Sequence, residues 1–241
     1  MGSIPTAGTN LGDIMEVKLI SHSRRYTPNN VTGEDDAQEL IAYCARVSNP
    51  NNQNNKDTSD KLISYLIKHQ HWSPLEMVNA CIEIETTRDI ARQILRHRSF
   101  SFQEFSQRYA DPTKELSFDE REARLQDPNN RQNSWPLDFD LQDEVQLDSD
   151  FRQKQREVWK LAVETYEWAI KKGIAKEQAR VVLPEGNTVS RLYMNGTLRS
   201  WVHYIELRGA NGTQKEHMEV AQKCAIEIAK IFPLMEQLKS V

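Results

Sequence analysis

Cysteine is scarce in this chain. Among 241 residues there are three, Cys44, Cys81 and Cys224, widely spaced and without a C-x-x-C pair. That count excludes a disulfide framework and a zinc ribbon, and it fits buried thiols in a reducing compartment. Long apolar runs are missing too, since no stretch approaches the roughly 20 apolar residues that a bilayer span needs. No cationic segment followed by an apolar one opens the chain, so no secretory leader is expected. Without that context the sequons at Asn30, Asn195 and Asn211 carry no weight. Met1-Gly2 with Thr6 meets the loose myristoylation pattern, but no polybasic stretch follows it. An excess of positive charge is also lacking: 31 basic residues face 35 acidic ones, for a net charge of −4. Coating a nucleic acid or an anionic membrane by bulk charge is thereby excluded. The expectation is a cytoplasmic protein with no membrane, nucleic-acid or metal partner.

The residues present fall into periodic segments. Residues 1–12 read as a loose tail, and 13–241 as one mixed α/β domain of α+β type. Residues 17–23 have strand character, and 35–48 read as a helix with Leu40, Ile41 and Cys44 on one face. In the next helix Leu62, Ile63, Leu66 and Ile67 repeat at helical period. It runs into His71-Trp72-Ser73-Pro74, where the proline ends helical structure. Val78, Ala80, Ile82 and Ile84 then alternate with polar residues, the mark of a half-buried strand. Residues 88–98 read as a short helix. The stretch 111–150, rich in Asp, Gln and Asn, reads as an irregular insertion. A long helix over 151–172 follows, with Val158, Trp159, Ala162, Val163 and Tyr166 inward. After it come a helix into Arg180, a strand near 188–194 and a helix over 197–208. The last helix opens on Thr213-Gln214-Lys215-Glu216, the spacing of a capping box. The expected fold is a central antiparallel sheet with flanking helices, helix-rich towards the C-terminus.

The chemistry concentrates in 88–109, where five arginines and a histidine stand against two acids. On a helix Arg92 and Arg96 would lie four apart, as would Gln93 and His97, on adjoining faces. Serines, amides and aromatics follow. Guanidinium forks, amides and small hydroxyls are the groups that hold phosphate and read a planar ring. A nucleotide- or RNA-binding module that stacks bases on Phe100, Phe102 or Tyr109 would use the same residues. So would a structural oligomer that had lost catalysis.

Arg96-His97-Arg98 followed by Ser101, Glu104, Ser106, Arg108 and Tyr109 resembles the R-H-R-x(7)-S signature of the flavin-dependent thymidylate synthases. It departs from the extended pattern at Gln103, where asparagine is usual. His71-Trp72-Ser73-Pro74-Leu75-Glu76 is similar to that family's H-x-[ST]-P-x-E block, with Met77 where histidine is common. Ala179-Arg180-Val181-Val182-Leu183-Pro184 is similar to its A-R-x-x-L-P block. Residues 197–208 resemble the helix ending in its uracil-facing arginine. Four residues beyond that arginine, where the family often has histidine, stands Gly212, and His217 falls later.

The resemblance implies reductive methylation of dUMP to dTMP. Methylenetetrahydrofolate would be the one-carbon donor, FAD the hydride carrier and NADPH the reductant, in a homotetramer whose sites are shared between subunits. Arg208 would be the catalytic residue, stabilising negative charge on the uracil. Gln93, Ile94, Leu95, Arg96, Glu104, Phe105, Ser106, Gln107, Arg108, Arg180 and Arg208 would line the dUMP site, with Ser106 and Arg108 nearest the phosphate. His71, Ser73, Glu76, Arg96, His97, Arg98, Glu104, Thr197, Leu198, Arg199 and His203 would hold FAD. None of the three cysteines sits in the Pro-Cys-polar setting of a thiol nucleophile, which suits a thiol-free route.

Overall fold

The computed structural model describes residues 15–26, 37–210 and 212–235. The loose tail expected at 1–12 lies outside them. The central element is a pair of nine-residue strands, β2 (Asn79–Thr87) and β6 (Val189–Thr197). They pair antiparallel without a slip, from Asn79 opposite Thr197 to Thr87 opposite Val189. β1 (Glu16–His22) adds to one side of β2 with a bulge at Ile20, and β3 (Ser101–Glu104) adds to the free side of β6, giving the order β1-β2-β6-β3.

The strand alternation fixes which face is covered. Ala80, Ile82, Ile84, Leu192 and Met194 are fully buried under helices, while Glu83, Glu85, Arg191 and Tyr193 line the opposite face. Over the buried face lie α1 (Ala37–Ala45), α2 (Ser59–Lys68), α7 (Leu198–Arg208) and α8 (Lys215–Ala229), and one core joins them to the sheet. Each central strand passes into a helix with no loop between. β2 leads into α3 (Arg88–Ile94) and β6 into α7, with Thr87 and Thr197 in extended conformation as N-caps. The Thr197 hydroxyl accepts from the Ser200 amide, satisfying one of the orphan donors of a helix start.

Several expectations need correction. α3 ends at Ile94 rather than at 98, so Arg96, His97 and Arg98 lie in a turn and not on a helix face. The reason is tertiary. The Phe100 ring packs edge-on against Trp201 (4.8 Å between ring centroids) and lies over Gly196, which draws the chain off the helical path. The following segment pairs as β3, a strand that sequence reading missed because its four residues are half exposed.

The 111–150 stretch is ordered. It holds α4 (Pro112–Glu115) and a hairpin of β4 (Arg124–Gln126) and β5 (Ser134–Pro136), whose turn Asp127 closes by accepting from the Asn129 and Asn130 amides. The long helix α5 starts inside that stretch and spans Gln142–Lys171. Of its expected inward residues, Ala162 and Tyr166 are buried, but Val158 is 56% exposed. α6 (Lys176–Ala179) completes a small second cluster with α5. The capping box does not form: α8 is capped by Gln214 without a side-chain bond, and Glu216 points elsewhere. Among the described residues no helix is long and apolar enough to cross a membrane.

α2 ends with Gln70 in the left-handed region (φ 58°), where its amide reaches Ile67 O and the His71 amide reaches Leu66 O. This is a Schellman end built without glycine, immediately before the His71–Glu76 block.

The Phe100–Gly196 contact yields a test. A Cβ at position 196 would sit 2.4 Å from the Phe100 ring. Gly196→Ala should destabilise the fold by about 1–3 kcal/mol, the scale of core overpacking. A shift of the urea midpoint measures it, and an unchanged midpoint would mean that the ring is free to move aside.

Candidate active site

α7 organises the site, with separate clusters at its two ends. Near its start Arg199 is ion-paired with Glu76, which lies in the 3₁₀ turn Ser73–Met77. One turn on, His203 lies edge-on to Trp72 (4.5 Å) and 3.7 Å from Glu206. The fold thus brings the 71–76 block, through Trp72 and Glu76, against Arg199 and His203 on α7, more distant in sequence, and His71 and Ser73 of that block are exposed. Thr197 and Leu198 contribute differently. The Thr197 hydroxyl is occupied in capping. Leu198 is fully buried and its amide donates to Val78 O, so it fixes the helix and presents no side chain to a ligand.

At the other end, about 13 Å along the helix, Arg208 Nε donates to His97 Nε2 at 3.0 Å. A nitrogen that accepts from a guanidinium carries no proton, so His97 is neutral with its hydrogen on Nδ1. Burial, and then the Arg208 cation, hold its pKa below the ordinary histidine value. His97 also lies edge-on to Tyr204 (4.9 Å). Gln93, from α3, bonds to Gln214 and to His217. His217 is fully buried, and its pKa is pushed down to about 4 by burial first and then by Arg208 and His97. Sequence reading left His217 and Gln214 out of the site. Their only signal was a histidine shortly after the arginine helix, displaced from its usual position.

A third group follows the arginine turn. Glu104, on β3, takes bonds on Oε1 from buried Arg88 (3.4 Å) and from Ser190 Oγ (2.9 Å). Its Oε2 has no bond among the described residues. Arg88 is held below its usual pKa by burial, which Glu104 opposes, and Arg180 is near enough to add to the lowering. The Ser106 hydroxyl accepts from the Arg108 amide, and Arg108 Nε reaches the exposed Glu177 at 3.2 Å. Among the described residues Arg96, Arg98 and Arg180 form no ion pair, and Arg96 and Arg98 are exposed. Gln107 is buried with its amide nitrogen unpaired. The Ile94 side chain is fully buried in the core and is unavailable to a ligand. Leu95 and Phe105 are half-buried.

No thiol here is activated. Burial raises the pKa of Cys44 and Cys81 and that of fully buried Cys224 far more, the opposite of what a nucleophilic cysteine needs. Phe100, packed under Trp201, offers no platform for a stacking base.

Unpaired guanidinium groups, a carboxylate held by one oxygen, amides and hydroxyls are the kinds of group that can bind an anionic ligand carrying a flat polar ring. Residues 30–234 match the family model described as thymidylate synthase complementing protein. The probable flavin-dependent thymidylate synthase of Paramecium bursaria Chlorella virus 1 is 47% identical over 219 residues, covering 91% of this chain and 96% of that one. The flavin-dependent thymidylate synthase of Synechocystis sp. is 49% identical over 220 residues, with the same coverage. Among solved structures, the UMP/dUMP methylase PolB from Streptomyces cacaoi bound with 5-Br dUMP superposes with a TM-score of 0.74 at 25% identity, over 93% of both chains. The chain belongs to the flavin-dependent thymidylate synthase family.

The buried histidine makes stability depend on pH with a definite sign. Its folded pKa lies below the unfolded value of about 6.5, so the unfolded chain binds the extra proton first. The contribution is complete above pH 6.5, falls between 6.5 and 4, and is lost below 4. Wild-type protein should therefore lose roughly 3 kcal/mol more than His217→Leu between pH 7 and pH 4. Denaturant titrations of both at the two pH values test this, and parallel losses would contradict a neutral buried imidazole.

Proposed function

We propose that the chain methylates dUMP to dTMP as a flavin-dependent thymidylate synthase, with methylenetetrahydrofolate as one-carbon donor and NADPH as reductant. The observation that carries this reading is the pairing of Arg208 with His97. One N–H of the guanidinium is spent on a neutral imidazole, which aims the fork without neutralising it. A permanently charged fork can then donate to the uracil edge and stabilise negative charge developing there. Gln93, Ser106, Arg108 and Arg180 would hold the rest of dUMP, and the free Oε2 of Glu104 would accept from it.

The residues also suit FAD. Arg96 and Arg98 offer unpaired cations to a pyrophosphate, and Glu76, Arg199 and His203 form a polar patch at the start of α7. When bound, the flavin supplies the hydride chemistry that no side chain here provides. The chain's own residues bind, orient and polarise. With every thiol held protonated, no cysteine addition to the ring is required.

A homotetramer with shared sites fits the outer face of α5, where Leu147, Phe151, Val158, Leu161 and Trp168 are 44–65% exposed. Repeats of seven between Phe151 and Val158 and between Leu161 and Trp168 suit packing against another helix. Three free cysteines fit the cytoplasm.

Arg208→Lys keeps the charge and loses the planar fork. It should retain flavin and assembly yet lower the single-turnover yield rate of dTMP by roughly 10²-fold, the scale for removing one preorganised donor. Arg199→Ala should release flavin first and lose turnover only in consequence. Bound-flavin absorbance and dTMP formation on both variants decide the matter, and near-normal turnover in Arg208→Lys would refute the assignment.

A variant with Cys44, Cys81 and Cys224 all replaced by Ser or Ala should still form dTMP. Complete loss in folded, flavin-loaded protein would refute the thiol-free route.

A further inference from the structure

Behind Gln93 runs a chain of hydrogen bonds whose direction can be deduced from one end. Arg124 Nη2, on the hairpin of the 111–150 segment, donates to Glu216 Oε1 at 2.7 Å. Burial works against ionisation of Glu216, but its own backbone amide, Arg121, Arg124 and Gln214 outweigh that and leave its pKa lowered. An ionised carboxylate only accepts, so Gln214 must turn its NH2 towards Glu216 Oε2 (2.8 Å). The Gln214 carbonyl then faces Gln93, whose NH2 donates to it at 2.7 Å. That leaves Gln93 Oε1 facing His217 Nδ1 at 3.2 Å, so the imidazole carries its hydrogen on Nδ1. A neutral ring then accepts at Nε2, where the Tyr204 hydroxyl lies 3.2 Å away. Each member leaves the next a single orientation.

We propose that His217 is a positioning residue for Gln93, and that the Arg124–Glu216 ion pair sets the polarity of a chain through Gln214, Gln93, His217 and Tyr204. The proposal rests on the reading of Gln93 as a dUMP ligand. With Oε1 held by His217 and one N–H by Gln214, Gln93 keeps its second N–H for a nucleotide oxygen. A flipped amide would set N–H against N–H at His217 and carbonyl against carbonyl at Gln214. The donor is therefore fixed before substrate arrives, which removes an ordering cost from binding. The hairpin acquires a role as well: it holds the remote end of the chain that aims a substrate ligand.

Nitrogen-15 NMR on histidine-labelled protein at neutral pH tests the chain without any substitution. His217 should show a protonated Nδ1 and an unprotonated Nε2, and the reverse tautomer would overturn the proposal. Glu216→Gln, whose amide both donates and accepts, should yield a mixture of tautomers. A spectrum identical to wild type would remove the ion pair from its assigned role.

Calorimetric titration of flavin-loaded protein with dUMP tests the consequence. His217→Asn keeps an N–H near the Nδ1 position and should hold affinity within about threefold. His217→Gln and His217→Leu lose that donor and should weaken binding about tenfold. Equal losses in all three would reveal a merely structural histidine. Gln93→Leu separates the two readings: unchanged affinity there overturns the assignment of Gln93 itself. Affinity lost in Gln93→Leu but kept in His217→Leu overturns the positioning role alone.

Discussion

The nine-residue register between β2 and β6 is the constraint on which the other arrangements depend. Both strands bury Ala, Ile, Leu or Met on one face, so a slip of one residue would turn that set to the exposed side. Because each strand passes into its helix without a loop, the register also fixes where α3 and α7 begin. Gln93 and Arg208 are thereby placed by strand pairing, not by flexible connections. A site held by main-chain ladders is stiff, which suits a function that depends on where a donor points.

Charge is distributed in keeping with that. Cations with carboxylate partners tie segments together: Arg121 with Asp89, Lys215 with Glu122, Arg156 with Glu120. Around the arginine turn Arg96, Arg98 and Arg180 lack such partners, and Arg208 bonds to a neutral imidazole. Among the described residues these arginines leave a local group of unpaired guanidinium charge beside Arg208 in an acidic protein. The cost of holding cations close together falls partly on His97 and His217, which stay neutral beside Arg208.

Much of this was legible in sequence, for physical reasons. The alternation through Val78–Ile84 shows in the residue types because one face is dry and the other wet. The helix carrying Arg199, His203 and Arg208 was expected over 197–208 and spans Leu198–Arg208, with Thr197 as its cap. The candidate ligand residues come from resemblance to a motif and not from periodicity. The end of α3 was not legible, because nothing local stops a helix at Ile94; the stop comes from Phe100 docking on Gly196 and Trp201, a contact across about a hundred residues. The hairpin within 111–150 stayed hidden because its strands are three residues each and mostly exposed. His217 was undervalued for the same reason as Phe100, since its partners Gln93 and Tyr204 come from other elements.

The role proposed for Arg208 is to face the pyrimidine, aimed by His97. The most direct measurement is a crystal structure of the protein with FAD and dUMP bound. The uracil edge should lie within hydrogen-bond reach of the Arg208 guanidinium while Nε stays on His97, with the phosphate near Ser106 and Arg108. A uracil ring seated away from Arg208, with the Arg208–His97 bond intact, would contradict it.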